Sequence, residues 1–356
     1  LSIDSIERGA APLAEVVRGN LVESVHLGHV AVVDRHGRLL FAAGNPQALV
    51  YTRSALKPLQ ALTFTRAGGI EHFGFSVPET ALLCASHSGE PRHVAAAADM
   101  LARCGCSAAD LQCGEHLPYF YDATHAPAPP PPYSTLAHNC SGKHSGMLAC
   151  CVLHGWSKGD YLDVAHPLQK AIRADVARVC NVQETELVEG TDGCSAPNYA
   201  VPLAALAGAY ASLATASRED ADPDAAALGR LAGAMRQHPE MVSGEKRTDL
   251  AIATAGAGDW IAKAGAEGVQ ALAVRSLGLG VAIKVADGQA RGLSAISVAI
   301  LEQLGLIDTG ARSSLGRLAR PVLKNVRGIV TGHIQPAVEL IPVAPSAPSG
   351  GGRAMN

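Results

Sequence analysis

The 356 residues are enough for one large domain or a domain with two lobes, and a 48% hydrophobic, 17% charged composition supplies a sizeable core. Aromatic residues are only 4%, which argues against a base-stacking platform. A net charge of −3 with a pI near 6.6 offers no basic excess to draw phosphate backbones, so no nucleic-acid role is indicated. No uninterrupted apolar run reaches about 18 residues, and no membrane span is expected. Leu1 to Arg18 mixes Asp4, Glu7, Arg8, Glu15 and Arg18 with apolar residues, unlike a secretory leader. Nine cysteines is an odd number without the spacing of a small stapled secreted domain, and a cytoplasmic location is expected.

In chain order, His29 to Val33 and Arg38 to Ala42 read as two strands of an antiparallel hairpin, joined by a turn at Asp34-Arg35-His36-Gly37. Ser54 to Ala67 reads as a helix with Leu56, Leu59 and Leu62 on its apolar side; Pro58 fits only if that helix starts close to Ser54. From about Pro78 to Gly233 the patterns are helical, interrupted by the stiff proline-rich loop Ala126 to Pro132. Val269 to Val274 and Gly280 to Val285 again read as strands, with a turn at Asp287-Gly288, and Ser294 to Leu304 is a late apolar helix. This order suggests an α/β fold in which an antiparallel sheet is flanked by helices, with a helical lobe inserted at roughly 78–233. Residues 1–343 are expected to form one domain of two lobes, and the Pro-, Ser- and Gly-rich tail 344–356 to be disordered.

Ser54 and Lys57 are three residues apart, about 60° from one another around a helix, on the side opposite Leu59. A lysine whose pKa is lowered by burial or a second cation can deprotonate a serine hydroxyl. The same pair also fits an ordinary surface serine with a solvated lysine. Lys263-Ala-Gly, placed just before a predicted strand, is a departure from the K-T-G element that accompanies S-x-x-K in penicillin-recognising serine enzymes. Between them, Cys84-Ala-Ser-His-Ser-Gly-Glu could supply a further hydroxyl from Ser86 or Ser88, or simply be a polar turn. Two more polar islands are Asn139-Cys140-Ser-Gly-Lys143-His-Ser-Gly and Thr191-Asp192-Gly-Cys194-Ser-Ala-Pro. Spacing alone makes Cys140 and Cys194 buried thiols, Lys143 a surface charge and Asp192-Gly193 a turn. Cys104, Cys106, Cys113, Cys150 and Cys151 read as structural.

Taken together, Ser54-Ala-Leu-Lys57-Pro, Ala85-Ser-His-Ser-Gly-Glu90, His138 to Met147 and Thr191 to Pro197 make the chain resemble the asparaginase family of the Rhizobium, inducible and thermolabile, type, over roughly Leu21 to Leu304. The resemblance implies a β-lactamase-like fold, a homodimer, L-asparagine as substrate, and two serine–lysine pairs: Ser54 with Lys57, and Ser86 with Lys263. It also implies a Zn2+ ion held by Cys140, Lys143 and Cys194, with water in the fourth position and Asp192 nearby. A lysine ligand would have to be neutral. In the mechanism this suggests, Ser54 is deprotonated by Lys57 and attacks the side-chain amide. Ammonia leaves on a proton relayed through Ser86 and Lys263, and water hydrolyses the acyl-enzyme to aspartate. Arg53 and Asp192 are candidates for substrate binding, Arg53 for the substrate carboxylate and equally as a helix-start surface charge. The rival readings are a glutaminase or cell-wall peptidase of the same fold, and a non-catalytic binder of an amino acid or metal.

Overall fold

The computed structural model describes residues 6–344. Most of the tail, from residue 345 on, lies outside the described residues, as do residues 1–5.

Among the described residues there are twelve strands: β1 (Ala11–Arg18), β2 (Leu21–Asp34), β3 (Leu39–Ala43), β4 (Leu49–Tyr51), β5 (Val188–Thr191), β6 (Pro197–Pro202), β7 (Trp260–Gly265), β8 (Val269–Val274), β9 (Leu279–Val285), β10 (Val322–Lys324), β11 (Val330–Pro336) and β12 (Ile341–Pro342). Nine of them form one antiparallel sheet whose main path runs β10-β11-β1-β2-β9-β8-β7, with β3 pairing to both β2 and β12. A small second sheet has the order β4-β6-β5. The large sheet joins the two ends of the chain, and the segment between β3 and β7 is mostly helical. This is the α/β arrangement expected: an antiparallel sheet flanked by helices, carrying an inserted helical region, in the β-lactamase-like manner. Among the described residues, no helix is long and apolar enough to cross a membrane.

The central strands are buried on both faces, and their side chains sort by parity as the pleat requires. In β2, Ala31 and Val33 join the core beneath the helical region, while Val30 and Val32 point into a second core. That second core lies under the helices Leu293–Gln303 and Thr309–Ala319. In β9, Ala282 faces the first core, and Val281 and Ile283 face the second. The predicted turn holds: Gly37 has φ 76 between β2 and β3, as a left-handed turn position demands.

One close approach fixes the helical region to the sheet. The helix Leu203–Thr215 lies directly on β9 at Gly280, where an added Cβ would fall 1.9 Å from the Ala207 carbonyl oxygen and 2.3 Å from the Ala211 nitrogen. Both contacts are with backbone and cannot be relieved by a rotamer change. Substituting Gly280→Ala is expected to lower unfolding free energy by on the order of 3 kcal/mol through overpacking, read as a fall in denaturant midpoint at unchanged slope. An unchanged midpoint would show that the helix can slide on the sheet.

Candidate active site

The segment that carries Ser54 is not the single helix its pattern suggests. A 3-10 turn at Arg53–Leu56 is followed by two short α-helical pieces, Lys57–Gln60 and Leu62–Arg66. Leu56, Leu59 and Leu62 are all fully buried, so the apolar side is as read. Pro58 sits in the first turn of the first piece, where its missing N–H costs nothing. Neighbouring groups clamp the turn. Asn198 accepts from Arg53 N at 3.0 Å and donates to Arg53 O at 3.1 Å, while Tyr210 donates its hydroxyl to Ala55 O at 2.8 Å. Arg53 is held at φ 48, a conformation a non-glycine residue adopts only when its surroundings enforce it.

Lys57 does not face an open cleft; it is fully buried. Its Nζ donates to Ala85 O at 2.6 Å, to Ser86 Oγ at 2.9 Å and to Asn139 O at 3.4 Å. Three acceptors match the three protons of an ammonium. Ser54 is half-buried, and its hydroxyl has no hydrogen-bond partner among the described residues.

Lys263 was expected just ahead of a strand. It lies instead within β7, paired with Ala271 of β8, and is likewise fully buried. Its Nζ is 2.7 Å from Ser86 Oγ and donates to Ala264 O at 2.7 Å. Ser86 is therefore the meeting point of both lysines. Its own position is set by backbone, with Ser86 N donating to Val242 O at 2.9 Å and His87 N donating to Asn139 O at 3.2 Å. Burial, followed by the charge of Lys57, pulls the Lys263 amine down from the ordinary 10.5 to about 7. Asp249 opposes that shift, but its carboxylate is also occupied by Ala264 N at 2.8 Å and Gln270 Nε2 at 3.0 Å.

The polar islands around Cys140 and Cys194 do come together, but not as a metal centre. Among the described residues, no group of three or more His, Cys, Asp or Glu is placed to hold a metal ion, and the expected Zn2+ site is not supported. Lys143 Nζ donates to Cys194 Sγ at 3.0 Å. Hydrogen bonding from Cys140 and the charge of Lys143 outweigh burial and hold the Cys194 thiol far below its ordinary value. Burial works against the Lys143 charge, but the Cys194 and Cys140 sulfurs outweigh it and raise the amine above its usual range. A protonated lysine has no lone pair to offer a metal, and the thiolate–ammonium pair satisfies itself. Asp192, expected near the ion, is turned toward Arg53, whose Nε donates to Asp192 Oδ1 at 2.8 Å. The two candidate substrate-binding residues thus bind each other. The remaining cysteines, Cys84, Cys104, Cys106, Cys113, Cys150, Cys151 and Cys180, are buried and free.

Sequence reasoning missed Asn139 and Ala85, whose carbonyls hold Lys57, and Asn198, which holds Arg53. Backbone acceptors leave no residue-type signal. The close packing behind them does leave one: Gly142 and Gly146 in the helix Ser141–His154 let Leu82 and Leu83 approach without a Cβ in the way.

The Ser86 hydroxyl thus lies buried between two lysine nitrogens, one of which has its amine lowered to about 7. The L-asparaginase II family model matches residues 14–336, and the chain belongs to that family of amidohydrolases acting on L-asparagine. Among solved structures it is similar to a "putative beta-lactamase" from Bacteroides dorei DSM 17855, at 12% identity over 84% of this chain and 95% of that one, with a TM-score of 0.40. No curated protein matches the chain.

Lys263 carries a stability cost whose sign follows from its lowered value. Below about 7 the amine is protonated in both the folded and the unfolded chain, and the full cost of burying a second ammonium applies. Between about 7 and 10.5 the unfolded chain binds the extra proton, so stability rises with pH across that window. Lys263→Met is therefore expected to raise the melting temperature at pH 6 and to raise it less at pH 9. A gain independent of pH would show that Lys263 is not titrating there.

Proposed function

We propose that Ser86 is the hydroxyl that attacks the side-chain amide of L-asparagine, with Lys263 as its base and Lys57 as a fixed ammonium beside it. The observation that carries this reading is the convergence of both lysine nitrogens on Ser86 Oγ, at 2.9 and 2.7 Å. Lys57 has all its protons engaged and no lone pair to accept another. Lys263, with a value near 7, spends about half its time neutral at neutral pH. In the first step Ser86 gives its proton to Lys263 Nζ as the Oγ–carbon bond forms. The carbon–nitrogen bond then breaks, and the leaving nitrogen takes the proton from Lys263 and departs as ammonia. Water next gives a proton to Lys263 and attacks the ester, and that proton returns to Ser86 as aspartate leaves. Selectivity for the shorter amide belongs to the same reading.

Ser54 is the competing hydroxyl, favoured by its greater accessibility on the S-x-x-K turn. Ser86→Ala is expected to lower kcat by roughly 1000-fold or more. Acid quenching of the wild type with L-asparagine, followed by peptide mapping, should find the aspartyl ester on the Ser86 peptide. An ester on Ser54 would move the nucleophile to that turn and leave Ser86 and Lys263 as a relay. The pH profile of kcat/KM should show an acid limb near 7, rising with pH, because the base must be neutral. A limb well below 6 would exclude Lys263.

The reading extends to a homodimer in the cytoplasm. All nine cysteines are free and buried, the state a reducing compartment maintains. Leu21, Val25 and Leu27 leave the outer half of β2 apolar and exposed, a surface suited to a second copy. Sedimentation should give twice the chain mass, and Val25→Lys should reduce it to the monomer.

A further inference from the structure

The turn that supports Ser86 holds polar groups the mechanism leaves unused. Val242, whose carbonyl accepts from Ser86 N, opens the run Val242-Ser243-Gly244-Glu245-Lys246-Arg247. Gly244 has φ 144, accessible only to glycine, and Lys246 has φ 61, so the backbone is bent into a shape that ordinary packing would not select. Gly244 abuts Ser88, since an added Cβ would lie 2.4 Å from Ser88 Oγ. Ser88 O in turn accepts from Phe120 N at 2.8 Å. That places Tyr119 over the same spot, with the Arg247 guanidinium 4.8 Å from its ring centre.

Three of these groups are buried without a partner: Ser88 Oγ, Ser243 Oγ and Arg247 Nη1. Ser88 and Ser243 are 0% and 1% exposed. Arg247 has no acidic partner among the described residues, and its charge is felt at Lys263. An unpaired guanidinium nitrogen and two unpaired hydroxyls in a protein interior are costly, and each would be relieved by an anion. All three can donate, and a carboxylate can only accept. The two carboxylates at this turn are already engaged: Glu90 with Arg92 at 2.8 Å and with Glu245 N at 2.8 Å, and Glu245 with Arg92 at 2.8 Å.

We propose that Arg247, with the hydroxyls of Ser88 and Ser243, holds the α-carboxylate of the amino-acid substrate while Ser86 meets its side-chain amide. This role replaces the one considered for Arg53, which Asp192 already neutralises, and it rests on Ser86 being the reacting hydroxyl. The Tyr119 ring backs the guanidinium and keeps it flat toward the ligand.

The test separates recognition from reaction by measuring binding in an inactive background. L-Asparagine and β-alaninamide, the same amide lacking the α-carboxylate, are titrated calorimetrically into Ser86→Ala and into Ser86→Ala combined with Arg247→Met. The expected result is a rise of about 10- to 100-fold in Kd for L-asparagine on losing Arg247, with β-alaninamide unaffected, and an intermediate loss for Arg247→Lys. Arg247→Met should also keep or raise the melting temperature, because it removes an unpaired charge. Equal loss for both ligands would make Arg247 a structural residue, and an unchanged Kd for L-asparagine would place the carboxylate elsewhere; either overturns the assignment. Ammonia release by the wild type is scored separately. If L-asparagine binds through Arg247 yet is not hydrolysed, the recognition site stands and the proposed reaction falls.

Discussion

Two lysine nitrogens buried within hydrogen-bonding distance of one serine oxygen are the constraint around which this molecule is arranged. Two ammonium groups at that separation repel, and neither has water to screen it, so the pair is tolerable only if one of them gives up its proton. The structure decides which. Lys57 is surrounded by Ala85 O, Asn139 O and Ser86 Oγ, enough acceptors for all its protons. Lys263 has Ala264 O and Ser86 Oγ, and that leaves one lone pair free for the serine proton. Burial, and after it the charge of Lys57, lower the Lys263 amine to about 7.

Bringing those groups together takes both halves of the fold. Lys263 rides on β7, at one end of the large sheet, while Lys57, Ser86 and Asn139 all belong to the helical region. The helix Leu203–Thr215 ties the two, lying against β9 at Gly280 and reaching with Tyr210 to the turn that bears Ser54. β7 pairs with β8, which is buried along its whole length, and Lys263 is itself fully buried, so it cannot swing away to solvent. The cost of keeping it there is borne by two cores, one on each side of the sheet.

Much of the fold was legible because its central strands obey a simple rule. β3, β8 and β9 are short, mostly apolar runs beside turn residues and appear within a residue of where the pattern puts them, while β2 contains the predicted His29 to Val33 but begins at Leu21. β7 escaped notice because Trp260-Ile-Ala-Lys-Ala-Gly has a lysine at its middle, and a charged residue in a doubly buried strand breaks the expectation of an apolar run. β1 and β11 were missed for a related reason: Ala11–Arg18 and Val330–Pro336 mix polar and apolar residues without a clean alternation. The motifs pointed to both serines and both lysines, and the expected contact of Ser86 with Lys263 is present, but Lys57 meets Ser86 where Ser54 was expected. A spacing of three puts Ser54 and Lys57 on one side of a helix, yet the break between the 3-10 turn and the first helical piece lets the longer lysine side chain pass on to Ser86.

The cysteine–lysine island shows the same limit from the other direction. Residue types fitted a metal, and the chain does bring Cys194 and Lys143 to 3.0 Å. What residue types cannot express is where a shared proton settles. With Cys140 donating and Lys143 charged, the proton sits on nitrogen and the negative charge on Cys194, so the lone pair a metal would need is already in use. At Ser86 the balance tips the opposite way: burial and the cation of Lys57 outweigh Asp249, and the Lys263 amine falls to about 7. Two buried lysines in one interior thus end in opposite states, and the sign of the nearest charge is what separates a closed ion pair from a base ready to act.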